Sequence, residues 1–311
     1  MRALVTGALG FVGRHLVEHL EASGDDVVGV DHHGPAPVDV TDAAALGAVV
    51  ADARPEAVYH LAGWSHVGTS WSDPLGALRS NAEGTLQLLE VARAAGVDRV
   101  LCVTSADVYG LVTEADLPLT EASPIRPSSP YGATKAAADV LALQAFLGHG
   151  LATIRVRPFN HVGPGQSEHF VAPALAGRIA RAERDGDDEI RVGNLTPRRD
   201  LTDVRDVVRA YRLLVECGTP GEVYNVCSGQ DFSVQDVADR LVGLAAHPIA
   251  LVPDPELQRP VDLPVLRGDP SKLQAATGWE PTIPLDQTLA DLLDDLRARV
   301  QAEDPTPVEA P

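Results

Sequence analysis

Arg2-Ala3-Leu4-Val5-Thr6-Gly7-Ala8-Leu9-Gly10-Phe11-Val12-Gly13 opens with a short apolar run, followed by three glycines at fixed spacing and the start of an amphipathic stretch. Residues 2–6 read as a strand and 11–22 as a helix. Gly7 and Gly10, lacking side chains, allow a tight turn and close approach of a pyrophosphate, and Gly13 lets helix and strand pack closely. The unpaired N–H groups and positive dipole end at the helix start favour phosphate there. Glycines alone are weak evidence; their strand-turn-helix setting makes this stretch, with Phe11 and Val12, a dinucleotide-binding loop.

Outward from the loop, strand and helix signals alternate. Strands are expected at 27–31, 57–61, 99–104 and 153–157, and helices at 42–53, 74–95 and 130–148, the second long helix turning Leu86, Leu89 and Ala92 to one face. This alternation predicts an α/β fold of the Rossmann type, a doubly wound parallel sheet covered on both faces. From Phe159 the pattern shifts to Pro- and Gly-rich turns and the acidic run Asp185-Gly186-Asp187-Asp188-Glu189. A smaller, interleaved α/β substrate-binding lobe is expected there. Residues 1–165, rejoined by 201–227, form the first domain; 166–200 and 228–300 form the lobe; 301–311 are a frayed polar tail.

Composition narrows the class. The 311 residues are 45% hydrophobic and 22% charged, as in an ordinary globular chain. No stretch reaches the roughly 18 apolar residues of a membrane span, and the N-terminus lacks a secretory signal, so a cytoplasmic protein is expected. A formal charge of −19 argues against nucleic acid or an anionic membrane as partner. Cys102, Cys217 and Cys227 show no CxxC or metal-ligand spacing and read as small buried residues, and no metal is expected.

Asp31 ends the second strand 18 residues after Gly13. Its carboxylate suits the ribose hydroxyls of NAD, although a turn-initiating aspartate is the plainer reading. No Arg or Lys lies between Arg14 and Arg54 to meet a 2′-phosphate, so NAD(H) is expected over NADP(H), with His32 or His33 able to assist the latter. Asp39 and Val40 either reach the adenine or cap the next helix.

Ser128-Ser129-Pro130-Tyr131-Gly132-Ala133-Thr134-Lys135 puts a serine N-cap and an N1 proline ahead of a helix. Tyr131 and Lys135 then fall at i and i+4 on one face. A phenol titrates near pH 10, and a neighbouring ammonium is expected to bring it towards useful proton transfer. Lys135 is one of only two lysines in the chain. YxxxK alone is common on helix surfaces. Here it is joined by Ser105 at the carboxyl end of the fourth strand, where ligands of open parallel sheets bind and a hydroxyl can hold a carbonyl.

These motifs, with Ser105-Ala106-Asp107-Val108-Tyr109-Gly110, resemble the extended short-chain dehydrogenase/reductases over nearly the whole chain. The runs 157–166, 192–194, 203–208 and 223–229 are similar to the GDP-mannose branch, best to its GDP-4-keto-6-deoxy-D-mannose reductases and next to its GDP-mannose 4,6-dehydratases. The resemblance implies an NAD(P)-dependent oxidoreductase acting on a GDP-linked sugar, with Leu61, Ala62, Gly63 and Pro158 added to the cofactor contacts. It implies that Ser65, Val67, Asn160, Phe170 and Val171 approach the sugar nucleotide, Val192 and Asn194 the guanosine end, and Arg199 the diphosphate. Arg259 and Asp262 match a nucleotide-holding Arg-Pro-x-Glu, with Asp in place of Glu. His66 and His161 read as loop hydrogen-bonders. A homodimer through the helices at 74–95 and 130–148 is likewise implied.

Dehydratases need a further acid/base carboxylate beside the sugar. Related ones carry Glu where this chain has the shorter Asp107, the glucose type adds Asp where it has Ala106, and the GDP-mannose type has a long insertion where it has only 32–38. All three departures favour reduction of a C4 ketone, with Ser105, Tyr131, Lys135 and Asp107 as the catalytic group. A dehydratase, a 4-epimerase and a non-catalytic dinucleotide-sensing module are the alternatives.

Overall fold

The computed structural model describes residues 1–257 and 263–303. The first half runs β1 (Arg2–Thr6), α1 (Phe11–Ala22), β2 (Asp26–Val30), α2 (Ala43–Ala53), β3 (Ala57–His60), α3 (Val67–Ser70), α4 (Pro74–Leu78), α5 (Gly84–Ala95), β4 (Arg99–Val103), α6 (Pro130–His149) and β5 (Thr153–Pro158). The second half runs β6 (Asn160–Val162), α7 (Val171–Asp185), β7 (Glu189–Val192), β8 (Arg198–Asp203), α8 (Val204–Cys217), β9 (Val223–Val226) and β10 (Asp231–Ser233). It closes with α9 (Val234–Gly243), β11 (Ala250–Pro253), β12 (Val265–Leu266), α10 (Ser271–Thr277) and α11 (Leu285–Glu303).

Six parallel strands in the order β2-β1-β3-β4-β5-β9 form the main sheet. Strands buried on both faces need apolar residues on both, and β1 shows this. Ala3 and Val5 join a core with Leu16 and Leu20 of α1 and Tyr211 and Leu214 of α8. Leu4 joins the opposite core, with Leu46 of α2, Leu88 of α5 and Ala142 of α6. The strand order turns back between β1 and β3, and the crevice beyond their carboxyl ends is where such sheets bind ligands. The fold is the doubly wound α/β sheet expected.

The smaller lobe carries its own strands. β8 pairs with β10, β12 and β6, while β7 pairs with β11. Its core joins Leu175 and Ile179 of α7, Val237 and Leu241 of α9, and Leu289 and Leu293 of α11. The chain leaves the main sheet after β5, builds β6 to β8, and returns through α8 and β9.

Several expectations need correction. The long helix expected at 74–95 is broken by a π turn over Arg79–Glu83. Its buried stripe runs through Thr85, Leu88, Leu89 and Ala92, whereas Leu86 is 39% exposed. The stripe admits a polar residue because the Thr85 hydroxyl donates to the Asn81 carbonyl at 2.6 Å. Cys217, the last residue of α8, is exposed, unlike Cys102 and Cys227. Helix α11 continues through Gln301 to Glu303, into the segment read as tail. Among the described residues, no helix is long and apolar enough to cross a membrane.

Strand β5 carries two buried arginines, which an apolar central strand cannot hold uncompensated. Asp139, buried in α6, accepts from Arg155 Nη1 at 2.8 Å and from Arg157 Nε at 2.9 Å. Arg157 also lies over the Tyr109 ring and donates to its hydroxyl, which donates to Asn225 of β9. Asp139→Ala would leave two buried guanidinium groups without their anion, and we expect a loss of about 3–5 kcal/mol in unfolding free energy. Urea denaturation checks this, and a loss under about 1 kcal/mol, the range of an exposed pair, would contradict it.

Candidate active site

The glycine loop fits a dinucleotide on steric grounds. Gly7 has φ of 74°, and a Cβ there would lie 2.8 Å from the Ala62 nitrogen. A Cβ at Gly13 would lie 2.0 Å from the Gly7 carbonyl oxygen, so only glycine lets α1 back onto the loop. Gly10 is the N-cap of α1, no side chain caps this helix, and no acidic residue occupies its first turn. Its leading N–H groups, from Phe11 onward, are therefore available to an anion.

Asp31 lies just past β2, buried, with Oδ2 accepting from Leu9 N and Oδ1 from His33 N, each at 3.1 Å. The carboxylate thus ties the strand end to the glycine loop. His32 Nδ1 sits 3.1 Å from Oδ1, and the His32 and His33 rings are 3.8 Å apart. Asp39 accepts from the N–H and hydroxyl of Thr41, and Asp42 is the N-cap of α2, so Asp39 closes a turn rather than capping the helix. Val40 is buried in the core beneath.

Beyond β3, the Leu61 and Ala62 N–H groups donate to Thr6, and Gly63 follows with φ of 156°. A Cβ on Gly63 would fall 2.5 Å from Asn81 Oδ1 and 3.4 Å from Lys135 Nζ. Three segments therefore converge here with no room for a side chain. Asn81 sits in the π turn, its amide donating to Thr134 Oγ1 at 2.9 Å, while its Oδ1 is buried without a partner among the described residues.

At the carboxyl edge of β4, Ser105 caps a 3-10 turn, Ala106–Tyr109. Its Oγ accepts from Asp107 N at 3.1 Å and donates to Asp107 Oδ2 at 2.9 Å. Ser129 caps α6 by accepting from Gly132 N, with Pro130 in the first turn. Tyr131 is thereby brought near Ser105, whose hydroxyl favours the ionised form of the phenol. The Tyr131 N–H donates to Ser70 Oγ, joining α3 to α6. One turn on, Lys135 is buried and donates to the Val103 carbonyl at 3.1 Å.

The electrostatics differ from those expected of a Tyr–Lys pair. Burial, then the Asp107 carboxylate, pushes the Tyr131 phenol up, and the Ser105 hydroxyl offsets only part. Lys135 is itself held down to about 8 by burial. The expected lowering of Tyr131 by Lys135 is therefore not found, because the ammonium is desolvated and engaged with a backbone carbonyl. Burial raises the Asp107 carboxyl, against opposing effects from the Ser105 hydrogen bond and the Arg199 charge. His60, beneath Lys135, is pushed down to about 3 by burial and that ammonium, and bridges Thr6 and Thr85 as a neutral ring.

The remaining site candidates line the approach from the lobe. Pro158 ends β5 and Asn160 is exposed at the start of β6. His161 hydrogen-bonds Phe159 O, and Phe11 stacks on its ring at 5.9 Å. Phe170 and Val171 open α7 and are exposed. The His66 ring is edge-on to Phe170 at 6.4 Å, so the segment from Ser65 to Val67 faces the lobe, and His66 caps α3 by accepting from Thr69 N. Asn194 is exposed and accepts from Thr196. Arg199, on β8, donates to the Arg198 carbonyl and is near enough to act on Asp107.

Val192 is a correction: its side chain is 1% exposed in the lobe core and its carbonyl accepts from Asp254 N, which removes that side chain from the expected nucleotide contacts. Arg259 and Asp262 lie outside the described residues. Among the described residues, no cluster of three His, Cys, Asp or Glu could hold a metal. Ser70 and Asn81 escaped the sequence reading. The available signal was a run of polar residues, Asn81 and Thr85 at i and i+4, on the face of a helix that must be buried.

With this geometry in view, residues 3–227 match the NAD dependent epimerase/dehydratase family, and the chain belongs to it. It is 38% identical over 306 residues to a GDP-6-deoxy-D-mannose reductase of Pseudomonas aeruginosa, covering 97% of this chain and 99% of that one. Among solved structures, RMD from Pseudomonas aeruginosa complexed with NADPH is 37% identical, with a TM-score of 0.88 over 96% of this chain and 100% of that one. A UDP-glucose 4-epimerase of Thermus thermophilus in complex with NAD is 29% identical, with a TM-score of 0.86 over 96% and 99%.

Gly13→Ala is expected to remove the rise in melting temperature that added NADH or NADPH gives the wild type, since its Cβ must displace the Gly7 carbonyl. A variant stabilised as strongly as wild type would contradict this role for Gly13.

Proposed function

We propose that this chain reduces the C4 ketone of a nucleotide-linked 4-keto-6-deoxyhexose, converting GDP-4-keto-6-deoxy-D-mannose to GDP-D-rhamnose. The observation that carries the reading is the meeting of Tyr131, Ser105 and Lys135 at the carboxyl edge of β4, in a chain similar end to end to a GDP-6-deoxy-D-mannose reductase. The bound nicotinamide supplies the hydride. Tyr131 donates the proton to O4, and Ser105 aligns the carbonyl. Lys135, buried beside Gly63, orders the cofactor ribose, with the unpartnered Asn81 Oδ1 as a further acceptor there. Gly7, Gly10 and the first N–H groups of α1 hold the pyrophosphate, and Asn160, Phe170, Val171 and Arg199 take the sugar nucleotide.

NAD(H) is the preferred cofactor in this reading, because Asp31 would meet a 2′-phosphate with like charge. NADPH in the Pseudomonas structure keeps NADP(H) in view. The specific observation favouring a 4,6-dehydratase instead is the Asp107 carboxylate beside Ser105, since that reaction needs a second acid/base group. Incubation with GDP-mannose alone, then with a separate dehydratase plus NADH or NADPH, separates the two. Product from GDP-mannose alone would sink the reductase assignment. Tyr131→Phe is expected to lower kcat at least ~100-fold while NADH binding persists; a variant with full turnover would remove Tyr131 from the chemistry.

A homodimer through α4, α5 and α6 belongs to the same reading. Leu75 and Leu78 of α4, Leu86 of α5, and Val140 and Leu147 of α6 are all exposed, an apolar surface that a second copy would cover. Val140 and Leu147, two turns apart, share one outward face. Val140→Glu with Leu147→Glu is expected to shift the light-scattering mass from dimer to monomer. An unchanged mass would place the interface elsewhere.

A further inference from the structure

Hydrogen bonds beneath Lys135 fix where the protons of a buried polar chain sit. The Thr85 hydroxyl has one proton to give, and it goes to the Asn81 carbonyl, which can only accept. Thr85 Oγ1 therefore meets His60 Nε2, 3.1 Å away, with a lone pair, and the ring must carry its proton on Nε2. His60 is neutral, since burial and the Lys135 ammonium both disfavour the charged ring. Nδ1 is then an acceptor, and the Thr6 hydroxyl, 2.8 Å away, donates to it. Thr6 Oγ1 in turn accepts from Ala62 N at 3.3 Å. One directed chain thus runs from the Ala62 N–H through Thr6, His60 and Thr85 to the Asn81 carbonyl.

The Asn81 side chain is oriented in the same way. Thr134 Oγ1 donates to the Tyr131 carbonyl at 2.8 Å, so towards Asn81 it can only accept, and the amide nitrogen of Asn81 must face it. That turns Oδ1 to the point where a Cβ on Gly63 would stand 2.5 Å from it and 3.4 Å from Lys135 Nζ. Oδ1 is buried there with no hydrogen-bond partner among the described residues. The turn that carries Asn81 is a widened one, the Gly84 N–H reaching five residues back to the Arg79 carbonyl, and the Thr85 hydroxyl is a side-chain tether on it.

We propose that His60 is a positioning residue for the coenzyme: its Nε2 proton holds Thr85, and through Thr85 the Asn81 carbonyl, so that Asn81 Oδ1 is presented to a ribose hydroxyl beside Lys135. A hydroxyl both gives and accepts, and Oδ1 next to an ammonium offers it one acceptor and one donor. His60 itself touches no ligand, and its proton stays on Nε2 throughout. A charged ring would turn a second donor on Thr6 and break the chain at that end. The proposal rests on the reading of the glycine loop and Lys135 as the coenzyme site.

Two measurements test it. In wild type labelled with 15N-histidine, the His60 ring should be the Nε2–H tautomer and stay neutral from about pH 5 to 8, its signals identified by their absence from His60→Gln. By calorimetry, Thr85→Val, which keeps the shape and removes the hydroxyl, is expected to weaken NADH and NADPH binding about tenfold, as loss of one well-made hydrogen bond would. Thr85→Ser, which keeps the hydroxyl, should bind as wild type does. If Thr85 acts through Asn81, Thr85→Val costs no further affinity in an Asn81→Ala background; a purely structural Thr85 would weaken both backgrounds alike. An Nδ1–H or charged His60, undiminished binding by folded Thr85→Val, or full additivity with Asn81→Ala overturns the proposal while leaving the coenzyme site in place. A wild type that binds neither dinucleotide sinks the coenzyme-site reading, and the proposal with it.

Discussion

The position of α6 depends on one buried carboxylate. Asp139 holds that helix to β5 through ion pairs with two buried guanidinium groups, those of Arg155 and Arg157. Tyr131, Lys135 and Asp139 follow at successive spacings of four, so they rise along one face of the helix. The ion pairs midway along it therefore fix where the phenol and ammonium stand in its first two turns. The Asp139 carboxylate also lies 3.4 Å from the Thr104 hydroxyl, next in sequence to Ser105, so the strand edge and the helix share a single anchor. A charge in the core is a risk for stability, and here it gives the register of the site.

What could be read from the sequence was what local rules govern. The glycine spacing after β1, the serine and proline ahead of Tyr131, and the edges of α1 are set by residues a few positions apart, and the structure has them where the pattern puts them. Tertiary contacts defeated the rest. Asn81 and Ser70 matter through neighbours 53 and 61 residues away. Val192 matched a motif, yet the pleat of β7 turns its side chain into the lobe. The electrostatics were least legible of all, because YxxxK specifies which groups are close while burial decides how they titrate.

The crevice gains its shape from three close approaches made possible by missing side chains. Gly13 brings α1 onto the loop, Gly7 brings that loop against Ala62, and Gly63 brings the segment after β3 against Asn81 and Lys135. Together they draw the glycine loop, the segment after β3 and the Lys135 side chain of α6 into one continuous wall. On the lobe side, Phe11 stacking on His161 joins the start of α1 to β6, so the two halves of the crevice meet at an aromatic contact.

Trp279 belongs to the stretch that follows β12 and α10, yet its ring is fully buried in the core of the main sheet, its indole donating to the Asp206 carbonyl. Having built the lobe, the chain thus sends a bulky plug back into the layer it started from, before α11 returns to the lobe. Neither half can be cut out with its interior intact. The molecule should melt as one cooperative body, and a version shortened before residue 279 would leave a hole beneath the nucleotide-binding sheet as well as stripping the lobe.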